Sequence, residues 1–182
     1  MKKIVFALAA IIAVAALILA LPVSHKQSDD ADSYLRIHIR ANSNSDEDQE
    51  LKYKVKQAVV DFMTPLLVNA ETKERALSIV RSNFKGIESA ADAVIKANGF
   101  SYSSKASLRR EDFPTRRYGE FTLESGVYDA LILELGTGKG DNWWCVVYPP
   151  LCFVNGTDNG SDGVVYRSLL KEIIEKFKSE KD

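Results

Sequence analysis

The apolar residues divide the chain into three segments. Residues 4–21 form an unbroken apolar run behind Lys2 and Lys3, whereas residues 24–33 are almost entirely polar. From Tyr34 onward, apolar and polar positions alternate with the periods of strands and helices. The pattern predicts a signal peptide or membrane anchor over residues 1–23, a polar linker over 24–33 and one folded domain over 34–179.

The N-terminal run decides where we expect the domain to lie. At about 1.5 Å per residue the run would span roughly 27 Å, between a long signal-peptide core and a short membrane helix. Lys2 and Lys3 favour retention of the N-terminus in the cytoplasm, so the chain after Leu21 is expected outside it. Cleavage and retention of the segment both stay open.

The first half of the domain predicts a strand followed by helices. Residues 34–40 alternate, which places a basic set on one face: Arg36, His38 and Arg40. Polar caps at residues 42–45 predict a helix from about residue 46 that ends at Pro65. Thr72 can cap a second helix that includes Phe84. Because Gly86 weakens helical continuity, we expect a third helix over residues 87–97.

The second half predicts strands over residues 100–108, 127–135 and 143–148, with a loop over 136–142. A polar loop over 155–163 and an amphipathic helix over 165–177 follow. This order predicts an α+β fold with a mostly antiparallel sheet and helices packed on one face, preceded by the apolar N-terminal helix.

Charge and motifs argue against several function classes. The chain has 24 basic and 25 acidic residues, too balanced for a protein that gains affinity by neutralising nucleic-acid phosphates. The glycine-rich residues 136–140 lack the spacing of a P-loop. His38 has no recognisable catalytic partner in the sequence. We therefore expect no catalytic residues, no metal and no cofactor.

Cys145 and Cys152 are the two cysteines of the chain. In an exported domain, a disulfide is favoured over two buried thiols if the chain reverses at residues 148–149. Pro150 would then require a cis-proline turn or a wider bend.

Basic and aromatic side chains supply the candidate binding residues. Arg36, His38 and Arg40, with Arg109, Arg110, Arg116 and Arg117, form either an electropositive surface for an acidic partner or an ordinary wet sheet face. Trp143 and Trp144 are adjacent on a predicted strand and so point to opposite faces. One of them is available as an interface anchor unless both are buried.

Three stretches resemble the stage II sporulation protein R family of endospore-forming bacteria. They are residues 37–43 with the acidic helix start at 46–52, residues 113–119 with Phe-Pro-Thr-Arg and Tyr-Gly, and residues 142–153 with Asn-Trp-Trp-Cys and Pro-Pro-Leu-Cys-Phe. The resemblance covers about residues 34–154.

The resemblance implies a signalling protein that is secreted from the forespore into the intermembrane space. There it would activate the membrane-embedded aspartic protease of the mother cell, which removes the pro-sequence of sigma-E. The partner-binding candidates are then Arg36, His38, Arg40, Arg116, Tyr118, Trp143 and Trp144. An exported cell-wall hydrolase or thiol oxidoreductase is the alternative class.

Overall fold

The computed structural model describes residues 31–68, 70–118 and 121–152, together with Glu175 and Ser179. Its elements are a 3-10 turn (Ala31–Ser33), β1 (Leu35–Arg40), α1 (Asp46–Leu67), α2 (Lys73–Ser82), α3 (Phe84–Ala97), β2 (Ser104–Phe113), β3 (Arg116–Tyr118), β4 (Phe121–Leu123), β5 (Gly126–Leu135) and β6 (Asn142–Tyr148). The predicted N-terminal segment and the predicted elements beyond residue 152 lie outside the described residues, except that Glu175 and Ser179 are helical. In the described ranges, no helix combines the length and hydropathy that a membrane span needs.

Four strands form a mixed sheet in the order β2-β5-β1-β6. β1 is parallel to β5 and antiparallel to β6, and β2 is antiparallel to β5. β3 and β4 form a separate two-stranded hairpin. The α+β prediction is confirmed, with a mostly antiparallel sheet. The parallel β1–β5 pair was not predicted; the chain between these strands, which includes the three helices α1–α3, supplies the long connection that parallel neighbours need.

Helices α1, α2 and α3 pack against this sheet. α1 contacts β1 and α3, α2 contacts β1 and β6, and α3 contacts β2. The alternating residues Leu35, Ile37 and Ile39 are buried in the same hydrophobic core as Leu51 and Val55 of α1. The hydrophobic core therefore lies between the helices and one face of the sheet.

Two predicted helix boundaries were wrong for different physical reasons. α1 continues past Pro65 to Leu67, because proline in the last turn removes one donor while Val68 N–H still bonds the Thr64 carbonyl at 3.2 Å. α3 begins at Phe84 and includes Gly86. A Cβ at Gly86 would overlap the ring of Phe62, so this glycine permits close approach of α1 rather than breaking the helix.

The ends of other elements also differ from the sequence prediction. Residues 31–33, which fall within the predicted linker, form a turn in which Ala31 is buried. β2 begins at Ser104, where the backbone N–H and hydroxyl both bond Asp92 Oδ1 of α3, and it continues to Phe113. The β3–β4 hairpin was not predicted.

Candidate partner-binding face

Arg36, His38 and Arg40 lie on the face of the sheet opposite the helices, which we call the polar face. In the sheet register, His38 lies between Ile132 of β5 and Trp144 of β6. Arg36 is 0% exposed and His38 is 2% exposed. The expectation of an ordinary wet sheet face is therefore wrong at these two residues, whereas a basic surface for an acidic partner stays a prediction.

Aromatic rings surround the guanidinium of Arg36. Its Cζ lies 4.1 Å from the ring centre of Phe113, 4.8 Å from that of Tyr128 and 5.8 Å from that of Tyr118. Nη2 donates a hydrogen bond to the Tyr118 hydroxyl at 2.8 Å. Nε and Nη1 are buried and have no hydrogen-bond partner. Cation–π attraction offsets part of the cost of burying this charge.

The electrostatics of this pair follow from burial. Burial lowers the pKa of Arg36, the Tyr118 side chain opposes that effect, and the nearby positive charge of Arg116 adds to it. Burial raises the pKa of Tyr118, although Arg36 acts in the opposite direction. The raised pKa keeps Tyr118 protonated at neutral pH, and Arg36 stays charged because a guanidinium does not lose its proton in a protein, so the pair carries one net positive charge.

His38 is enclosed by aromatic rings and one carboxylate. Its ring stacks on Trp144 at 3.8 Å between centroids and meets the edge of Phe113 at 5.9 Å. Nδ1 lies 3.1 Å from Glu111 Oε2, whereas Nε2 has no hydrogen-bond partner. Burial lowers the pKa of His38, and the nearby side chains of Asn142 and Glu111 oppose that effect. The imidazole is therefore neutral at pH 7 and donates its Nδ1 proton to Glu111.

The third basic residue of β1 belongs to a network of charges. Arg40 Nη2 pairs with Glu111, and its Nη1 lies 3.2 Å from Glu134. Arg109 of β2 also contacts Glu134, at 3.3 Å. This end of the polar face is thus neutralised by its own carboxylates, unlike the end that contains Arg36.

The β3–β4 hairpin covers the Arg36 end of the polar face. Tyr118 contributes the hydrogen bond to Arg36, and Arg116 is exposed. Outside the hairpin, Thr115 Oγ1 bonds Glu124 and accepts from the Ser125 N–H. Tyr128 of β5 donates to the Glu124 carbonyl at 2.6 Å. These bonds fix the two ends of the hairpin beside Arg36.

The two tryptophans lie on opposite faces of the sheet, as predicted. Trp144 stacks on His38 in the polar face. Trp143 lies on the helix side, where Lys56 Nζ of α1 is 5.9 Å from its ring centre. Both are partly buried against the core. The structure thus brings Arg36, His38, Tyr118 and Trp144 into one contiguous cluster and leaves Trp143 outside it.

Cys145 and Cys152 form a disulfide with a Cα–Cα distance of 5.9 Å, so the predicted pairing is confirmed. Of the two turns considered, the structure contains the cis-proline turn, at Tyr148–Pro149. Cys152 N–H also bonds the Val146 carbonyl at 3.3 Å. The disulfide therefore holds the segment after β6 against the outer edge of that strand.

A second polar cluster lies at the start of α1, next to the strand ends of the polar face. The carboxylate of Asp48 accepts hydrogen bonds from Ser43 and Tyr102 at 2.5 Å and from Asn42 at 2.8 Å. Lys52 is buried and donates to the Asp141 carbonyl at 3.0 Å. These bonds join the loop before β6 to the connection between β1 and α1, and so they fix the ends of both strands of the polar face.

A model of the family described as "Stage II sporulation protein R" matches residues 31–158. The chain belongs to the stage II sporulation protein R family. The stage II sporulation protein R of Bacillus subtilis (strain 168) is 36% identical over 124 residues, which are 68% of this chain and 55% of that protein. The chain therefore spans about half the length of this curated relative. No solved structure matches the chain.

The match to the stage II sporulation protein R family includes every described element. The three stretches that carried the resemblance contribute β1 with the start of α1, the end of β2 with the hairpin, and β6 with the disulfide. They meet around the polar face. Family membership identifies a sporulation protein, and the family name indicates no enzymatic activity.

Sequence reasoning missed several residues of this cluster. Glu111 and Phe113 lay beyond the predicted end of the strand at residue 108, and Tyr128 was counted only as part of a central strand. For β2, the alternation of Arg109, Glu111 and Phe113 on one face could have predicted that the strand continues to residue 113. The mixed polar sequence of residues 109–113 obscured it.

Proposed function

We propose that this protein is an exported signal of endospore formation. It is secreted from the forespore into the intermembrane space, where it activates the membrane-embedded aspartic protease of the mother cell. That protease then cleaves pro-sigma-E. Membership of the stage II sporulation protein R family is the observation that carries the proposal.

The polar face supports an action by binding. Its rings and charges are held by contacts among themselves: Arg36 with Tyr118, His38 with Trp144, and Arg40 with Glu111. A surface that is ordered before it meets its partner loses little conformational entropy on docking. The exposed Arg116 and the partly buried Tyr118 and Trp144 are the accessible members of the set.

The surroundings of His38 argue against a general-base role. The ring lies between Trp144 and Phe113 and is 2% exposed, so a substrate has no direct approach to Nε2. A general base must come within hydrogen-bond reach of the proton that it removes. The enclosed imidazole is better suited to supporting Trp144 than to proton transfer.

An activator shifts the protease between its inactive and active arrangements. It does so only by binding the active arrangement more tightly, and the difference in affinity sets the size of the shift. Residues 1–23 would deliver the chain across the membrane, and the Cys145–Cys152 disulfide suits an oxidising compartment.

The test is reconstitution in a bacterium that does not sporulate. The chain, the membrane protease and the pro-sigma-E substrate are co-expressed, and cleaved substrate is measured on immunoblots. We expect cleavage with the full chain and none when residues 1–23 are deleted. A second control omits the protease.

Cleavage in the absence of the protease would contradict the proposal, because the chain would then be acting as an enzyme. Equal cleavage by the chain without residues 1–23, confined to the cytosol, would contradict the exported role.

A further inference from the structure

Arg36 carries a buried positive charge that no carboxylate among the described residues neutralises. The contrast within β1 is direct, because Arg40 pairs with both Glu111 and Glu134. Arg36 has only the neutral hydroxyl of Tyr118, and its Nε and Nη1 are without partners. A buried charge is normally paired, because removing it from water is unfavourable unless a partner compensates for the lost hydration.

The guanidinium has the geometry to accept a carboxylate. Nη2 is bonded to the Tyr118 hydroxyl, and the two unpartnered nitrogens complete the planar group. A carboxylate that contacts Nη2 and either of the other two would form two parallel charge-assisted hydrogen bonds. Tyr118 thus holds the place that a carboxylate oxygen would take.

Because Arg36 is 0% exposed, a ligand can reach it only if the β3–β4 hairpin that covers it moves away. β3 and β4 each have three residues and pair only with each other, outside the four-stranded sheet. A two-stranded hairpin is only marginally stable by itself. Arg116 is exposed on β3 and its positive charge acts on Arg36, so the approach to Arg36 is positively charged.

We propose that an acidic side chain of a partner protein binds Arg36 beneath the β3–β4 hairpin, displacing the Tyr118 hydroxyl from Nη2. The flat rings of Phe113, Tyr118 and Tyr128 favour a planar carboxylate over a tetrahedral phosphate, which also costs more to desolvate. The partner is defined here by its acidic side chain alone; that it is the membrane protease rests on the proposed function.

The test measures binding of a blocked tetraglutamate peptide to the full chain in a nonionic detergent, with the disulfide intact. The NMR signal of the Arg36 Nε–H reports on the site, and its absence in Arg36→Lys identifies it. We expect a saturable shift with tetraglutamate. Blocked tetraglutamine and inorganic phosphate at the same ionic strength should leave the signal in place. An equal shift with phosphate, or no shift with tetraglutamate, would overturn the proposal.

Tyr118→Phe gives a second test, in which the direction of the change in tetraglutamate affinity decides the outcome. The variant keeps the ring but removes the hydroxyl that competes for Nη2, so tetraglutamate should bind about tenfold more tightly. Tyr53→Phe is the matched control, because Tyr53 is 54% exposed on α1, and its affinity should equal that of the wild type. Unchanged or weaker binding by Tyr118→Phe would show that the hydroxyl is purely structural.

Neither measurement uses the membrane protease or the pro-sigma-E substrate. Tetraglutamate binding at Arg36 therefore supports the carboxylate site even if reconstituted cleavage fails. If the peptide leaves the Arg36 signal unchanged, the carboxylate site is contradicted even when cleavage succeeds.

Discussion

The carboxylate of Asp48 lies where three side-chain donors converge on the first turn of α1. Burial acts to raise the pKa of Asp48, but hydrogen bonds from Ser43, Tyr102 and Asn42 together outweigh it and hold the pKa below its usual value. The folded state therefore binds this proton less readily than the unfolded state. The resulting stability is present above about pH 4 and is lost as the pH falls through the folded-state pKa.

Asp48→Asn tests this residue. Because the amide cannot accept all three bonds, we expect the free energy of unfolding at pH 7 to fall by about 2–3 kcal/mol. Urea denaturation, followed by tryptophan fluorescence, measures it. The loss should shrink between pH 4 and pH 2 as the wild-type carboxylate becomes protonated. Asp46→Asn, a change at another acidic residue of the same turn, is the control. An equal loss in both variants would contradict a special role for Asp48.

His38 predicts a second pH dependence, at higher pH. Burial lowers its pKa from the usual 6.5, so the unfolded state takes up a proton that the folded state resists. Stability attributable to His38 is thus complete above about pH 6.5 and decreases as the pH falls toward the folded-state pKa.

His38→Phe keeps an aromatic ring against Trp144 and removes the titration. We expect the variant to lose part of the decline in unfolding free energy between pH 7 and pH 5. His25→Phe, which changes the other histidine, should retain the wild-type decline. Urea denaturation over that pH range provides the measurement, and identical slopes in His38→Phe and the wild type would contradict the assignment.

At the scale of elements, the contact between α1 and α3 depends on a glycine. A Cβ at Gly86 would overlap the Phe62 ring, which is partly buried. We expect Gly86→Ala to lower the free energy of unfolding by about 1–2 kcal/mol through overpacking, despite the better helix propensity of alanine.

The control for Gly86→Ala is a double-mutant cycle. In a Phe62→Leu background the overlap is relieved, so Gly86→Ala should there be neutral or stabilising by up to about 1 kcal/mol. Additive effects of the two substitutions, measured by urea denaturation, would contradict direct contact.

The same elements show how far sequence reasoning reaches. Period-two alternation predicts β1, and the caps Ser45 and Thr72 mark the starts of α1 and α2, because these signals are local. Gly86 was misinterpreted because its role depends on Phe62, 24 residues earlier in the chain. The burial of Arg36 likewise depends on rings from β2, β3 and β5, which no local pattern reveals.

At the scale of the whole molecule, the described domain has one face closed by helices and one face closed by its own aromatic and charged side chains. The hydrophobic core lies between the helices and the face that they cover. The segments that carry the family resemblance meet around the polar face. A fold of this kind places an ordered surface around the hairpin. We propose that this surface conveys the signal by docking to a partner.

The most direct measurement of that claim compares two arginine-to-glutamate variants in the reconstituted strain. Arg116→Glu reverses an exposed charge on the hairpin, whereas Arg75→Glu reverses an exposed charge on α2, at a helix N-terminus that tolerates an acidic residue. Cleaved pro-sigma-E is measured at matched levels of exported protein. The account predicts at least about a tenfold loss of cleavage for Arg116→Glu, as expected when a repulsive charge enters an interface, and wild-type cleavage for Arg75→Glu. Equal cleavage by the two variants would contradict it.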